Sequence, residues 1–296
     1  MFALLTRWRQ QSRAKPAAPR RARLGVEALE ARYCLWGGIS LSLHAQTFAG
    51  HLAQLSGAVL GSDPAGATVT FSGAASGSAT TDSAGNYSWS TTNATLGTLS
   101  AVAVDTQGHT SGTVISAITA PAPVVSLSFT YGSGHTVTLS GKVFADLDPG
   151  GRTITFSGVV GGSTTTNSDG TYSYTTTVSA LGNMQASTTD LWGLSSNSPQ
   201  VAYTNAPPQI TSFAASEAPL RMWTFSGRVA DEYPAGLVVT LGGLPSLQGV
   251  TAVVQSGGGF SVTIQLEIGE GGTATAQTTD WWGVASNIAL ADVTQT

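Results

Sequence analysis

The run Leu55-Ser56-Gly57-Ala58-Val59 sets a glycine among alternating apolar residues, and the chain carries this run three times. The later copies follow at spacings of 84 and 86 residues. They are Leu139-Ser140-Gly141-Lys142-Val143 and Phe225-Ser226-Gly227-Arg228-Val229. Self-similarity at a fixed period indicates tandem copies of one structural unit. We therefore predict three similar domains.

Each copy is followed by the same strand and turn signals. A turn with proline and glycine leads into an alternating stretch such as Thr68-Val69-Thr70-Phe71, whose side chains point in turn to a buried and a wet face. Next comes an Asp/Gly turn and an inward-pointing aromatic residue, at Tyr87, Tyr172 or Phe260. Each unit ends on an Asp-x-x-Gly element, called the closing loop below. The three closing loops are Asp105-Thr106-Gln107-Gly108, Asp190-Leu191-Trp192-Gly193 and Asp280-Trp281-Trp282-Gly283.

Proline-rich stretches mark the boundaries. Ala120-Pro121-Ala122-Pro123 and Asn205-Ala206-Pro207-Pro208 precede the second and third units, where proline stiffens an extended joint. We predict repeat 1 at 37–120, repeat 2 at 121–205 and repeat 3 at 206–296, after a basic, mostly disordered leader at 1–36. About seven short strands in each repeat indicate an all-β chain of three tandem immunoglobulin-like β-sandwiches behind a non-globular N-terminal segment.

Charge and cysteine content narrow the function classes. The first 32 residues hold eight of the twelve basic residues and two acidic ones, a net charge of +6 that is typical of a targeting segment. The remainder has four basic and fourteen acidic residues, which argues against nucleic acid as a partner. Cys34 is the only cysteine, so the domains contain no internal disulfide. The sequence has no apolar run of about 18 residues, which is the length that would predict a membrane-spanning helix.

Two resemblances point outside the cell. The repeated Ser-Gly-x-Val, Asp-x-x-Gly-x-Tyr and closing Asp-x-x-Gly elements resemble bacterial immunoglobulin-like repeats of surface proteins over about 255 residues. Leu29, Glu30, Arg32 and Leu35 resemble the short Leu-Glu-x-Arg-x-Leu-like N-terminal motif of exported planctomycete-type surface proteins. The resemblances imply an exported, extracellular or cell-surface protein, and the N-terminal motif is silent about activity.

Catalytic motifs are absent from the sequence. There is no Gly-x-Ser-x-Gly elbow, His-Glu-x-x-His or phosphate-binding Gly-Lys-Ser/Thr. His51 and His135 occupy equivalent positions at the head of a strand, without a serine motif or an acid beside them. We interpret both as surface strand residues, and the protein as a non-enzyme.

Carboxylates in loops raise a calcium hypothesis. Calcium prefers several oxygen ligands, which inter-strand and closing loops supply. The same aspartates cap their own turns equally well without a metal, so the alternative is that no cofactor binds. The candidate calcium ligands are Asp146, Asp148, Asp190, Asp231 and Asp280.

Tryptophans in the closing loops raise a carbohydrate hypothesis. Trp192, Trp281 and Trp282 offer flat rings on which sugars could stack. Alternatively, they plug the end of their sandwich or pack on the adjoining domain. Repeat 1 has Thr106 and Gln107 at these positions, which disfavours a sugar site shared by all repeats.

The leading functional prediction is a structural or adhesive surface protein of immunoglobulin-like spacer modules. Its partner would be a protein or polysaccharide surface, and its modules would be monomeric. The alternatives are an array that binds calcium or carbohydrate and, behind these, an accessory segment of an extracellular enzyme.

Overall fold

The computed structural model describes residues 38–294, and these residues form an all-β chain. The predicted leader at 1–36, with Cys34 and the Leu-Glu-x-Arg motif, lies outside the described residues. The strands are β1 Ser40–Leu41, β2 His44–Phe48, β3 Leu52–Leu60, β4 Thr68–Gly73, β5 Gly77–Thr80, β6 Asn86–Thr91, β7 Gly97–Val104, β8 Val114–Ile118, β9 Val124–Val125, β10 Ser128–Tyr131, β11 Thr136–Phe144, β12 Thr153–Gly158, β13 Gly162–Thr165, β14 Thr171–Thr177, β15 Gly182–Ser187, β16 Gln200–Tyr203, β17 Gln209–Ala218, β18 Met222–Ala230, β19 Val238–Gly242, β20 Thr251–Val253, β21 Gly259–Gln265, β22 Gly272–Thr278 and β23 Ala289–Val293.

One pairing scheme recurs three times, and every pair is antiparallel. In repeat 1, β1 and β2 both pair with β3, which also pairs with β6; the second sheet has the order β5-β4-β7-β8. Repeat 2 has β9 and β10 on β11, then β14, with the second sheet β13-β12-β15-β16. Repeat 3 has β17-β18-β21 and β20-β19-β22-β23. Two facing antiparallel sheets of this kind are an immunoglobulin-like sandwich, so the predicted fold class is confirmed.

The apolar residues form three separate cores. The first core extends from Ile39 to Ile118, the second from Val125 to Tyr203 and the third from Ile210 to Val293. The predicted inward aromatics Tyr87, Tyr172 and Phe260 are all buried. Alternating burial along β4, β12 and β19 explains this arrangement, because one face of each strand covers its core.

The glycine of the Ser-Gly-x-Val run lies where the first strand of a repeat crosses closest to the second. A Cβ atom on Gly141 would lie 2.0 Å from the Ser126 carbonyl oxygen, and Gly57 and Gly227 meet equivalent carbonyls. That carbonyl accepts a 2.5 Å hydrogen bond from the Tyr172 hydroxyl. The Ser126 hydroxyl accepts one from the Lys142 amide. The run therefore recurs because the crossing leaves no room for a side chain.

Repeat 3 closes one end of its core with its own chain. Its β19–β20 connection contains a 3-10 helix, Pro245–Leu247, in which Leu247 is fully buried. The Ser246 amide donates to Glu270 at 2.8 Å, which ties this helix to the loop before β22. In repeat 1 the corresponding β4–β5 connection is three residues long.

Candidate functional site

The repeats meet at two joints built from the same structural elements. The first element is the hairpin tip, a two-residue turn before β3, β11 or β18. Both tip residues have positive φ: 73° and 59° at Gly50 and His51, and 55° and 65° at Gly134 and His135. Such a turn matches the twist of the flanking strands and requires the left-handed region at both positions. The second element is the closing loop of the following repeat.

In the first joint, the tip of repeat 1 contacts the closing loop of repeat 2. The rings of His51 and Trp192 lie 4.1 Å apart, and Trp192 packs against the core of repeat 1. The His51 Nδ1 atom is 2.9 Å from the Thr92 carbonyl oxygen, which orients the imidazole. The Gly50 amide donates to the Asp148 carboxylate of repeat 2. A tilted ring contact and a charge-assisted hydrogen bond therefore link the two repeats.

The second joint brings the same residue types together in a different arrangement. His135 stacks on Trp282 with centroids 4.0 Å apart and an interplanar angle of 24°. Its Nε2 atom lies 2.6 Å from the Trp281 carbonyl oxygen, so Nε2 carries the proton, since a carbonyl only accepts. Trp282 also packs against the core of repeat 2 beside Tyr203. Asn205 in the linker donates to Asp280 at 2.8 Å.

The tip of repeat 3 and the closing loop of repeat 1, which meet no other repeat within residues 38–294, differ from the joints at the same positions. Repeat 3 has Leu220 and Arg221 at its tip, with φ of 67° and 60°, in place of glycine and histidine. Repeat 1 has Gln107 in its closing loop where the later repeats have Trp192 and Trp282. A histidine therefore occurs at a tip that meets another repeat, and a tryptophan at the loop that receives it.

The predicted tryptophans have different surroundings. Trp192 and Trp282 lie in the joints, which is the packing on an adjoining domain that the sequence left open as an alternative. Trp281 lies beside Gly236 in its own repeat and donates through Nε1 to the Tyr233 carbonyl at 3.2 Å. Sugar stacking on these rings stays a prediction.

Four of the predicted calcium ligands bind protein groups. Asp190 accepts the Leu194 amide at 2.7 Å, and Asp280 accepts the amides of its own closing loop. Asp146 forms a 2.8 Å ion pair with Arg152, and Asp148 accepts the Gly50 amide across the first joint. Within residues 38–294, no three His, Cys, Asp or Glu side chains form a group that could hold a metal ion. Calcium binding stays an untested hypothesis.

Asp231 also binds a protein group, but among the five it alone has a buried oxygen without a hydrogen-bond partner. One of its carboxylate oxygens accepts the Tyr233 amide, whereas Oδ1 is buried without a hydrogen-bond partner, as is Oε2 of the adjacent Glu232. Burial, followed by the negative charges of Glu232 and Asp280, raises the pKa of Asp231. The other Glu232 oxygen accepts the Ala206 amide of the linker at 2.8 Å. The second joint thus holds two crowded carboxylates.

We expect Asp231→Asn to stabilise the protein at neutral pH. A carboxyl group whose pKa is raised in the folded state favours folding most below its unfolded pKa of about 3.9, and stability falls as pH rises through the folded pKa. The asparagine removes this ionisation, and we expect a gain of about 0.5 kcal/mol at pH 7 because solvent screens part of the repulsion. Urea titrations at pH 7 and pH 3 measure it. A gain of equal size at both pH values would contradict the electrostatic cause.

The two joint histidines correct the sequence interpretation. His51 and His135 were expected on the strand surface, but each lies in a turn and packs on a tryptophan of the next repeat. Their partners are remote in sequence, with His135 and Trp281 146 residues apart. The signal that could have found them is the offset pattern, a glycine and histidine in repeats 1 and 2 matched by a tryptophan in repeats 2 and 3.

Comparison with known proteins shows no matching family model and no matching curated protein. Several solved structures are similar over most of the chain. Part of a 1.5-MDa bacterial ice-binding adhesin has 19% identity, a TM-score of 0.31 and coverage of 88% of this chain and 98% of the other. A tetra-tandem repeat from the extending region of a large adhesion protein has 22% identity, a TM-score of 0.33 and coverage of 87% and 74%. The FN1–FN3 domains of chicken CNTN1 have 11% identity, a TM-score of 0.27 and coverage of 87% and 97%.

At these scores the likeness carries no argument about function, and the fold assignment rests on the strand pairing described above. Among residues 38–294, no helix has the length and apolar character needed to cross a bilayer.

Proposed function

We propose that this chain is an exported, cell-surface spacer that holds an adhesive or structural partner away from the cell, without catalysis. The observation that carries the proposal is the repeated joint. His51 packs on Trp192 and His135 packs on Trp282, so a histidine and a tryptophan meet at both joints. A chain whose joints are specified residue by residue has a defined end-to-end geometry, which is the property that a spacer requires.

The composition of the joints supports this role. Each histidine–tryptophan pair adds aromatic contact energy, on the order of 0.5–1.5 kcal/mol, to the area that it buries. The prolines of the linkers remove backbone freedom, which lowers the entropy lost when neighbouring repeats dock. Tyr131 donates to the Thr204 carbonyl at 2.9 Å, as Thr47 does to Thr119, so the last residues of repeats 1 and 2 are fixed to an earlier strand. Bending at the linkers is thereby restricted.

We further propose that the joints form without calcium. Asp148 and Asp280 already accept hydrogen bonds across the first and second joints. Among the described residues, the buried carboxylate oxygens without a hydrogen-bond partner belong to Asp231 and Glu232. Calcium prefers about six to eight oxygen ligands, so two monodentate oxygens are too few to bind it.

A distance measurement tests the spacer proposal. Nitroxide labels are attached at the exposed positions Ser76 and Ser256, in a Cys34→Ser background. Pulsed electron paramagnetic resonance then measures the distance between the two labels, and thus between repeats 1 and 3. We expect one narrow distance distribution, unchanged between calcium and chelator, and a broad one in the Trp192→Ala, Trp282→Ala double variant. A broad distribution in the unaltered joints would contradict a spacer. Narrowing by calcium would instead favour the calcium-binding alternative.

The surface location has its own measurement. An amine-reactive reagent that cannot cross membranes should modify Lys142 in intact cells to the same extent as in lysed cells. Modification only after lysis would contradict export.

A further inference from the structure

A groove on the outer face of repeat 3 combines an aromatic ring with polar side chains, the two kinds of group that proteins use to bind sugars. It has a volume of about 350 Å³ and lies between β19, β22 and the closing loop. Small-ligand clefts cover roughly 300–1,000 Å³, so the groove is at the lower end of that range. Its lining includes Val238, Thr240, Gln277, Thr279 and Trp281.

The polar part of the groove follows from strand register. Thr240 on β19 and Gln277 on β22 are direct cross-strand partners, so their side chains lie together on the exposed face. Thr279 continues this row beyond β22, because alternate residues share a face. Gln277 donates through Nε2 to the Ser286 carbonyl at 3.2 Å, which orients its amide group. Hydroxyl and amide groups that both donate and accept suit the hydroxyl groups of a sugar.

The apolar part of the groove is a fixed indole. Trp281 is half-buried, and its Nε1 is bound to the Tyr233 carbonyl. A Cβ atom on Gly236 would lie 3.3 Å from the Cζ2 atom of the ring, so the bare glycine backbone leaves room for the edge of the indole. Val238, 47% exposed, adds an apolar edge. Because the ring is already ordered, binding a ligand costs little side-chain entropy.

We infer that this groove binds a segment of a β-linked glucan. A β-linked glucopyranose carries its hydroxyls around the ring edge and presents flat C–H faces, so one face can stack on Trp281 while edge hydroxyls bond to Thr240, Gln277 and Thr279. This inference goes beyond the spacer role. It would give the array one polysaccharide contact, on its third repeat.

Repeat 2 supplies a matched control within the same chain. Its corresponding groove, of about 400 Å³, has the hydroxyls of Thr153, Thr155 and Thr189 but Leu191 at the place of the indole. If binding requires the indole, repeat 2 does not bind the glucan. The groove and its hydroxyl groups are then not enough for binding without the indole.

Calorimetric titration of the full chain with a soluble β-1,4-linked gluco-oligosaccharide tests the inference, with an α-1,4-linked oligosaccharide of equal length as control. We expect one site per chain, a loss of at least tenfold in affinity in Trp281→Leu, and no change in Leu191→Ala. Gln277→Leu, which leaves the ring and the backbone in place, should weaken binding several-fold. Thermal melting establishes that each variant is folded.

Three outcomes would overturn the inference. They are no binding by the unaltered chain, equal binding of the α-linked control, and full affinity in folded Trp281→Leu. Each of them leaves the distance measurement on the joints unaffected, so the spacer proposal would stand or fall separately.

Discussion

Gly141→Ala is expected to destabilise repeat 2 strongly. The new Cβ atom would lie 2.0 Å from the Ser126 carbonyl oxygen and 2.6 Å from the Tyr172 hydroxyl, well inside contact distance. The crossing strand must move, which breaks the Tyr172 hydrogen bond and the serine bond to the Lys142 amide. Overpacking combined with a broken buried network costs about 3 kcal/mol or more. Urea unfolding followed by circular dichroism should show that one repeat unfolds at a lower urea concentration than the others.

Gly161→Ala is the matched control for this prediction. Gly161 lies in the same repeat, and a Cβ atom there would have no neighbour within 4 Å. We expect its stability to stay within about 0.5 kcal/mol of the unaltered chain. Equal stability of the two variants would mean that the strand crossing does not set the need for glycine in the Ser-Gly-x-Val run.

Trp282→Ala should destabilise repeat 2, although the substituted residue belongs to repeat 3. Trp282 packs on the core of repeat 2 and stacks on His135, so its removal exposes the end of that core. Truncating a buried tryptophan costs roughly 3–5 kcal/mol, and for this half-buried side chain we expect about 2 kcal/mol. Hydrogen exchange of the β11 and β14 amides should become about thirtyfold faster if they exchange through unfolding of this repeat.

The controls for this second prediction separate packing from a general effect of mutation. Leu290→Ala, in the same repeat and 62% exposed, should leave exchange in β11 and β14 unchanged. Trp282→Phe keeps a ring at the joint and should restore part of the protection. Unchanged protection in Trp282→Ala would show that the repeats are energetically independent.

Much of the fold was predictable because its causes are local. The strand alternation, the glycine-containing turns and the repeated glycine each act within one repeat, and each appears three times. The buried aromatics Tyr87, Tyr172 and Phe260 were accessible for the same reason. The hydrogen bonds from the hydroxyls of Tyr87 and Tyr172 to the crossing strand depend on tertiary geometry. Phe260 has no hydroxyl, so repeat 3 forms its sandwich without this hydrogen bond.

The joints were not predictable from one repeat at a time. His51 and Trp192 belong to different repeats, and each looks ordinary in its own: a histidine before a strand, an aromatic residue in a loop. The aspartates show the opposite case. Asp190 and Asp280 were candidate calcium ligands by residue type, and both accept main-chain amides two to four residues away in their own turns. Local capping is favoured whenever such a turn forms, because it needs no second loop.

The offset between tip and closing loop limits how such a gene can rearrange. A recombination event that removed repeat 2 in frame would bring the His51 tip to face the Trp282 loop, and the histidine–tryptophan contact would form again. Duplication of repeat 3 would instead set Leu220 and Arg221 against Trp282, beside an end that Leu247 already seals. Loss of the middle module therefore preserves the contact chemistry of the array, whereas growth beyond the last one requires a different contact.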